Sequence, residues 1–346
     1  MSAKSSEDQL QVRLPRETTA LFGHGAAEAT LLAAYRSGRI AHAWLIGGAH
    51  GIGKATLAYR MARFVLANPD PASAAVQAAD SLHVDPEHPV ARQIAGGSHG
   101  GLLTLERSAN DKGVMRTVIT VDETRETIGF FGSTAAAEGW RVCIVDTVDE
   151  LNANAANALL KVLEEPPERA LFLLLSHAAA RVLPTIQSRC RRLPLRPLTT
   201  DQVADAVAAS AGLDRDDSAL AAAAEASEGS AARALMLIAG DALGLHQRTA
   251  ALLATLPHVD QRALHALGDA LGGSDRTAIA TFVDTIDRWM SERLKVVDAN
   301  ANLPRLARLA EVWEKINRAA RETESFNLER KPLVFSVFGL LADVTR

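Results

Sequence analysis

A short glycine-rich segment early in the chain has the residue types of a phosphate-binding loop. Gly48 and Gly53 bracket four residues and Lys54 follows directly, which gives the pattern G-x-x-x-x-G-K. In such a loop, backbone N–H groups surround a chain of phosphates and the lysine ammonium reaches the terminal oxygens. We therefore predict a nucleotide site whose contacts come from Gly48, Gly51, Gly53, Lys54 and Thr56.

One side chain that hydrolysis would need at this loop is missing. The residue after the lysine is normally Ser or Thr, whose hydroxyl binds Mg²⁺, but here it is Ala55. A methyl group cannot bind magnesium, which prefers oxygen ligands in near-octahedral geometry. Thr56 carries a hydroxyl, but one residue further along a helix its side chain points about 100° away. The loop therefore keeps the form of a nucleotide site and loses part of its hydrolytic chemistry.

The residues on either side of the loop fit the same interpretation. Residues 43–46 form a short apolar run, as expected of a buried parallel strand. Residues 57–66 form a predicted helix with Leu57, Met61 and Phe64 on one face. Strand, glycine loop and helix is the order that the motif requires, and a glycine turn without a ligand is the alternative.

A second segment has the pattern of a Walker B strand, in which an apolar run ends in an aspartate that aids magnesium binding. Residues 142–145 are the apolar run and Asp146 is the aspartate. In active ATPases of this kind a glutamate follows and orients the attacking water, but here Thr147 follows. Asp149 and Glu150 do not have the required spacing and are interpreted as a solvated helix start. The hydrolytic chemistry is therefore reduced at a second, independent position.

Predicted strands and helices alternate up to about residue 198. The strands are four apolar runs, at residues 43–46, 102–105, 141–145 and 170–175. The helices are predicted at residues 26–36 and 57–66, from residue 121, and at residues 151–163. This alternation predicts an α/β fold with a parallel sheet and flanking helices. Apart from its strand, the segment 67–113 is rich in proline and glycine and is predicted to be mostly loop.

From Thr199 onward the sequence is rich in alanine and we predict only helices. Thr200 is the predicted N-cap of a helix that ends at Gly212, and residues 240–245 are predicted to be a link. Large apolar residues then recur at helical spacing and are predicted to lie in the core of a bundle: Leu303, Leu306, Leu309, Trp313 and Ile316.

The composition is that of an ordinary globular protein of two or three domains. The chain has 346 residues, of which 48% are hydrophobic and 23% charged. A net charge of −4 argues against a protein that coats nucleic acid unaided, and two cysteines, Cys143 and Cys190, cannot form a four-cysteine zinc site. No apolar run approaches 18 residues and the polar residues 1–11 do not form a signal peptide, so we expect a cytoplasmic protein without a membrane partner.

Two further segments carry a resemblance to a known family. Residues 157–167 read N-A-L-L-K-V-L-E-E-P-P and residues 188–190 read S-R-C. Together with the two motifs above, they resemble the bacterial clamp-loader group of AAA+ proteins over roughly residues 20–240. The helical remainder agrees in size and type, and residues 327–331 are a weaker echo.

The resemblance implies a domain organisation. A polar segment at residues 1–20 precedes an AAA+ P-loop domain at residues 21–198, which has a parallel sheet and flanking helices. A small helical lid at residues 199–242 and an all-helical collar for oligomerisation at residues 243–346 follow.

The resemblance also implies roles for individual residues. Arg189 matches the arginine of S-R-C, which acts as an arginine finger on the ATP of a neighbouring subunit. A guanidinium is always charged and binds phosphate oxygens with two N–H groups, as that role requires. The alternative is a surface arginine in a basic run with Arg191, Arg192 and Arg196.

Two more segments correspond to the sensor motifs of the family. Ser176 occupies the position of a polar sensor at the end of a strand, and His177 beside it is interpreted as a loop histidine. The second sensor motif resembles residues 229–233. Active relatives carry arginine where this chain has Ala232, and Arg233 is one position late, so a phosphate contact from it is in doubt.

No cofactor is required by this interpretation, although binding of ATP or ADP is left open. Many relatives have a four-cysteine zinc module after the P-loop helix, but residues 67–110 contain no cysteine. His83, His88 and His99 are too dispersed to indicate a metal site, so we expect no zinc.

The resemblance implies a subunit that does not hydrolyse ATP itself and helps load the sliding clamp onto primed DNA. Its implied partners are the tau/gamma and delta subunits, and the clamp and the DNA through the assembly. The alternative is an active P-loop ATPase or nucleotide kinase in which Thr56 and Asp146 are unorthodox magnesium ligands. A sequence-specific DNA binder is disfavoured by the negative charge and by the lack of a DNA-reading motif.

Overall fold

The computed structural model describes residues 12–109, 115–132, 139–273, 277–296 and 303–345. The predictions for residues 1–11 lie outside this part of the chain. The chain forms two compact units, of which the larger comprises residues 10–234 and the smaller includes residues 235–346. The predicted boundaries after residues 198 and 242 stay predictions.

The larger unit is built on a five-stranded parallel sheet with the order β2-β3-β4-β1-β5. The strands are β1 (Ala43–Gly47), β2 (Leu102–Glu106), β3 (Arg141–Asp146), β4 (Ala170–Ser176) and β5 (Arg191–Pro194). Alternation along the chain therefore produced the predicted parallel α/β sheet. β1, β3 and β4 occupy its centre and are almost entirely buried, which explains their continuous apolar sequences.

The sequence pattern did not reveal β5. This edge strand pairs only with β1, and Arg191 and Arg192 on it are exposed. Leu193 is buried, so a single apolar side chain anchors the strand. An edge strand needs no apolar run, and charged residues are common there because they discourage pairing with other chains.

Helices cover both faces of the sheet. They are α1 (Gly25–Arg36), α2 (Lys54–Ala67), α3 (Ala74–Ala78), α4 (Pro89–Ala95), α5 (Val121–Gly132), α6 (Ala153–Glu164) and α7 (Pro184–Gln187). One apolar core joins α1 and α2 to one face through residues such as Leu31, Leu57 and Met61. The other joins α6 and α7 to the opposite face through residues such as Leu159 and Ile186. Because side chains on both faces of the sheet are closely packed against helices, a shift of register would disrupt two cores, so the strand ends are fixed.

Most of the described part of residues 67–113 is loop, as predicted, but two short helices were not predicted. This segment contains α3 and α4, whose first turns are capped by Ser73 and His88. The segment is also tied to α1, because Tyr35 Oη donates to Asn68 O at 2.5 Å. The predicted helix at residues 151–163 begins two residues later, because Asn152 is its N-cap.

After residue 199 every described element is a helix. They are α8 (Thr200–Ala211), α9 (Ser218–Ala226), α10 (Ala231–Ile238), α11 (Ala242–Ala254), α12 (Gln261–Leu271), α13 (Thr277–Val296), α14 (Leu303–Ser325) and α15 (Lys331–Thr345). The link predicted at residues 240–245 is therefore mostly the start of α11.

The smaller unit has its own apolar core, formed by α11 to α15. Leu309 and Ile316 are buried in it, and Trp313 packs against it, as the helical spacing predicted. The prediction was wrong for Leu303 and Leu306 in the first turn of α14, since Leu303 is 69% exposed, Leu306 is only half-buried and neither belongs to this core. None of the helices in the described part of the chain is long and apolar enough to cross a membrane.

The N-cap of α8 is Thr199 and not Thr200. The Thr199 hydroxyl accepts from Gln202 N and the Gln202 side chain accepts from Thr199 N, which forms a capping box. Gly212 ends the helix in the left-handed conformation, as predicted.

Replacing Thr199 by Ala should lower the free energy of unfolding by about 1 kcal/mol, because the hydroxyl half of the capping box is lost. Urea denaturation followed by circular dichroism measures this difference. Thr200→Ala, at an exposed position inside the helix, is the matched control and should change stability by less than about 0.5 kcal/mol. Equal losses in the two variants would contradict the assignment of the cap.

Candidate functional site

The parallel register brings the predicted motifs to one edge of the sheet. Gly47, the last residue of β1, pairs with Ser176 at the end of β4 and with Pro194 at the end of β5. Asp146, the last residue of β3, pairs with Leu175. The glycine loop, the Walker B aspartate and the sensor serine therefore meet at the carboxyl ends of the strands, where parallel sheets commonly bind ligands.

The glycine loop has a backbone that other residues would strain. Gly48 and Gly51 have positive φ angles of 157° and 73°. A Cβ added at Gly51 would lie 2.4 Å from Ser230 Oγ and 2.6 Å from Ala232 Cβ. The loop is therefore tightly packed by the start of α10, and Ala232 N donates to Gly51 O at 3.3 Å.

Lys54 is held inside the loop. Its Nζ donates to Gly48 O at 2.8 Å and to Ala49 O at 2.6 Å, and lies 2.9 Å from His177 Nδ1. Burial lowers the pKa of Lys54 to about 8, partly opposed by the carboxylates of Asp146 and Asp149. The ammonium thus bonds to carbonyls of the loop itself and to the imidazole of His177.

Asp149 and His177 are exposed, Asp149 at the start of a short helix and His177 in a loop, as interpreted from the sequence, and both also contact residues at this end of the sheet. Ser176 Oγ donates to Asp149 Oδ1 at 2.9 Å and His177 N donates to Asp149 Oδ2 at 2.6 Å. The carboxylate thus fixes the end of β4 and is not merely a solvated helix start. The His177 ring contacts Lys54 and lies 4.9 Å from the ring of His50.

The predicted magnesium-related residues lie at the same edge with reduced chemistry. Burial raises the pKa of Asp146, and Lys54 partly offsets this. Thr147 is buried, and its Oγ1 has no hydrogen-bond partner among the described residues. Ala55 and Thr56 lie in the first turn of α2 and are both half-buried.

His24 is a site residue that the sequence did not reveal. Its Nε2 donates to Ile52 O at 2.6 Å, and the ring lies beneath Gly53. Burial lowers the pKa of His24, so the neutral ring supports the loop. A single histidine at the start of α1 has no sequence signal, because the contact depends on how α1 packs against α2.

Arg233 bonds to residues at the junction of α9 and α10. Its side chain is buried and Nη1 donates to Ala226 O at 2.5 Å and to Glu228 Oε1 at 3.2 Å. The guanidinium thereby connects the end of α9 with the start of α10.

Arg189 lies near the amino ends of the strands, whereas the glycine loop lies at their carboxyl ends. It precedes β5, and because β5 runs parallel to β1 and pairs Arg191 with Trp44, the chain before β5 lies at the amino ends of the strands. The guanidinium is partly exposed; Nη2 donates to Glu164 Oε1 at 2.6 Å and Nη1 to Thr185 O at 2.9 Å. Arg189 and the glycine loop therefore lie at opposite ends of the strands.

The other arginines of the basic run have different surroundings. Arg191 stacks over the Trp44 ring at 4.9 Å, and Arg192 Nη2 donates to Gln187 Oε1 at 2.5 Å. Among the described residues no group of three or more His, Cys, Asp or Glu side chains is arranged to hold a metal ion. The expectation that the chain holds no zinc stays a prediction.

Replacing Lys54 by Met should raise the pKa of His177 by about one pH unit, because the nearby ammonium disfavours protonation of the ring. Partial burial, Lys54, His50 and Arg107 lower the pKa of His177, and Asp149 raises it. NMR titration of the imidazole, assigned with His177→Gln, measures the change.

Lys161→Met, which removes an exposed ammonium on α6, is the control for that titration and should leave the curve in place. Identical titrations in Lys54→Met and in the unmodified chain would contradict the contact. Because the folded chain binds this proton less readily than the unfolded chain, His177 should also reduce stability as the pH falls below 6.5.

Comparisons with known proteins identify the family of this chain. A family model described as DNA polymerase III, delta subunit, matches residues 23–199. The DNA polymerase III subunit delta' of Pseudomonas aeruginosa is 38% identical over 150 residues, which are 43% of this chain and 42% of that protein. The subunit delta' of Escherichia coli (strain K12) is 33% identical over 212 residues, which are 61% of this chain and 58% of that protein.

A third relative carries another subunit name. The DNA polymerase III subunit tau of Escherichia coli (strain K12) is 27% identical over 278 residues, 78% of this chain and 40% of that protein. The chain thus spans roughly half the length of these relatives. Because the family match covers just over half of the chain and includes the loop, the sheet and Arg189, the chain belongs to the DNA polymerase III delta-subunit family of clamp-loader proteins.

Proposed function

We propose that the chain is a non-hydrolysing subunit of the DNA polymerase III clamp loader, which helps load the sliding clamp onto primed DNA. In this proposal Arg189 acts as an arginine finger on ATP bound by a neighbouring subunit. The observation that carries the proposal is the position of Arg189. Its side chain is partly exposed near the amino ends of the strands, whereas the chain's own loop lies at their carboxyl ends. A guanidinium there is available to a second subunit and remote from its own P-loop.

The chain's own nucleotide site supports the non-hydrolysing part of the proposal. Ala55 offers no oxygen to magnesium, and Thr147 offers no carboxylate to orient water. Hydrolysis needs both functions at once, because a positioned water without a stabilised phosphoryl group does not react at a useful rate. The loop then serves as a structural element, with ATP or ADP binding as an optional feature and no zinc required.

The proposed partners follow from family membership. They are the tau/gamma and delta subunits in direct contact, with the sliding clamp and primed DNA reached through the assembly, in the cytoplasm. The similarity of the chain to a protein named DNA polymerase III subunit tau supports its proposed place in an assembly with tau/gamma subunits. The alternative of an active ATPase with Thr56 and Asp146 as magnesium ligands is tested by the next experiment.

The isolated chain should not hydrolyse ATP at a rate above that of a Lys54→Ala control. Ala55→Thr restores only the magnesium hydroxyl, so it should remain inactive, since nothing replaces the water-orienting carboxylate at position 147. Steady-state phosphate release measures both variants. Turnover by the unmodified chain that disappears in Lys54→Ala would favour the ATPase alternative.

Replacing Arg189 by Ala should slow ATP hydrolysis by the assembled clamp loader without preventing assembly. Arginine fingers contribute roughly 10³–10⁵ in rate at a single site, but the loss in the total rate should be smaller because other sites keep their own fingers. DNA-stimulated turnover of the reconstituted complex measures it, with gel filtration to check assembly.

Arg192→Ala is the matched control, because it removes the same charge three residues away. It should leave turnover close to that of the unmodified complex. Equal losses from the two variants would mean that the basic run acts as a general electrostatic field, and a normal rate with Arg189→Ala would exclude the finger.

A further inference from the structure

The guanidinium of Arg189 has a dedicated carboxylate partner on another element. Glu164, the last residue of α6, accepts from Nη2 at 2.6 Å, and Thr185 O accepts from Nη1 at 2.9 Å. We propose that Glu164 is a positioning residue for Arg189, which holds the guanidinium ready to contact the anionic phosphates of a nucleotide on a second subunit. The inference rests on the proposed finger role of Arg189.

The pairing is set by the core and not by chance contact of two surface side chains. Leu163, next to Glu164, and Ile186, three residues before Arg189, are both buried in the same apolar core. Cys190, directly after Arg189, packs against that core. The two backbones are therefore fixed relative to each other, and only the side chains bridge the distance between them.

The position of Glu164 is not explained by the stability of its helix. α6 ends at Glu164, and Pro166 and Pro167 follow and prevent its continuation. The C-terminal end of a helix carries partial negative charge, so a carboxylate in its last turn is unfavourable. The ion pair with Arg189 is the contact that makes a glutamate useful at this place.

The ion pair with Glu164 restricts the rotamers of the Arg189 side chain. Free arginine has many rotamers, and their loss on binding phosphate opposes catalysis. Nη2 donates to Glu164, and Nη1 donates to Thr185 O and, at 3.4 Å, to Ser188 Oγ. These contacts fix the plane of the guanidinium and leave Nε–H and one N–H of Nη2 for an incoming oxygen. A fixed plane reduces the entropy that must be lost when the neighbouring nucleotide arrives.

The chain offers a matched control in the adjacent carboxylate. Glu165 is exposed like Glu164, carries the same charge and makes no ion pair among the described residues. Any effect of charge alone on the surroundings of Arg189 should appear with both glutamates. An effect of the specific contact should appear with Glu164 only.

The test uses the reconstituted complex with tau/gamma and delta subunits, sliding clamp and primed DNA. Turnover at saturating ATP and the KM for ATP are measured for Glu164→Ala, Glu164→Gln, Glu165→Ala and Arg189→Ala. We expect Glu164→Ala to lose more than half of the turnover that Arg189→Ala loses, with KM unchanged. Glu164→Gln, whose amide oxygen still accepts from Nη2, should lose less, and Glu165→Ala should behave like the unmodified chain.

A double variant separates positioning from a general structural effect. Glu164→Ala combined with Arg189→Ala should be no slower than Arg189→Ala alone, because Glu164 acts only through the arginine. Unchanged or faster turnover with Glu164→Ala, while Arg189→Ala is slow, would overturn the positioning role and leave the finger intact. Unchanged turnover with Arg189→Ala itself would overturn the proposed function.

Discussion

The parallel pairing of β1 with β4 and β5 is the constraint on which the site depends. It fixes Gly47 beside Ser176 at one edge of the sheet, so the glycine loop and the sensor position are brought together by backbone hydrogen bonds. The same pairing places the residues just before β5, including Arg189, near the amino ends of the strands. Because both faces of the sheet are packed against helices, a shift of register would disrupt the packing of two cores, and this cost maintains the positions of the strand ends.

Side chains of the chain itself make the contacts around the glycine loop. Lys54 binds two carbonyls of the loop and the imidazole of His177, and Asp149 fixes the end of β4. His24 supports the loop from below through Ile52 O. These contacts hold the loop through side chains of the chain itself, at a site where Ala55 offers no oxygen to magnesium.

The sequence was sufficient for features that repeat or that carry a known spacing. Apolar runs identified the central strands, and the spacing of Gly48, Gly53 and Lys54 identified the loop. The edge strand β5 was missed because one buried leucine is no pattern, and α3 and α4 were missed because short helices in a proline-rich segment depend on local caps. Contacts between distant elements, such as Asp149 with β4 or Glu164 with Arg189, have no sequence signal and appear only once the packing is known.

The central claim is that this chain contributes a finger and not a turnover site. A structure of the assembled clamp loader with a non-hydrolysable ATP analogue tests it most directly. The account predicts that Arg189 donates to the terminal phosphate of the nucleotide on the neighbouring subunit, at the hydrogen-bond distance of about 2.7–2.9 Å typical of charged pairs. An Arg189 that faces solvent, with a different cation on that phosphate, would contradict the account.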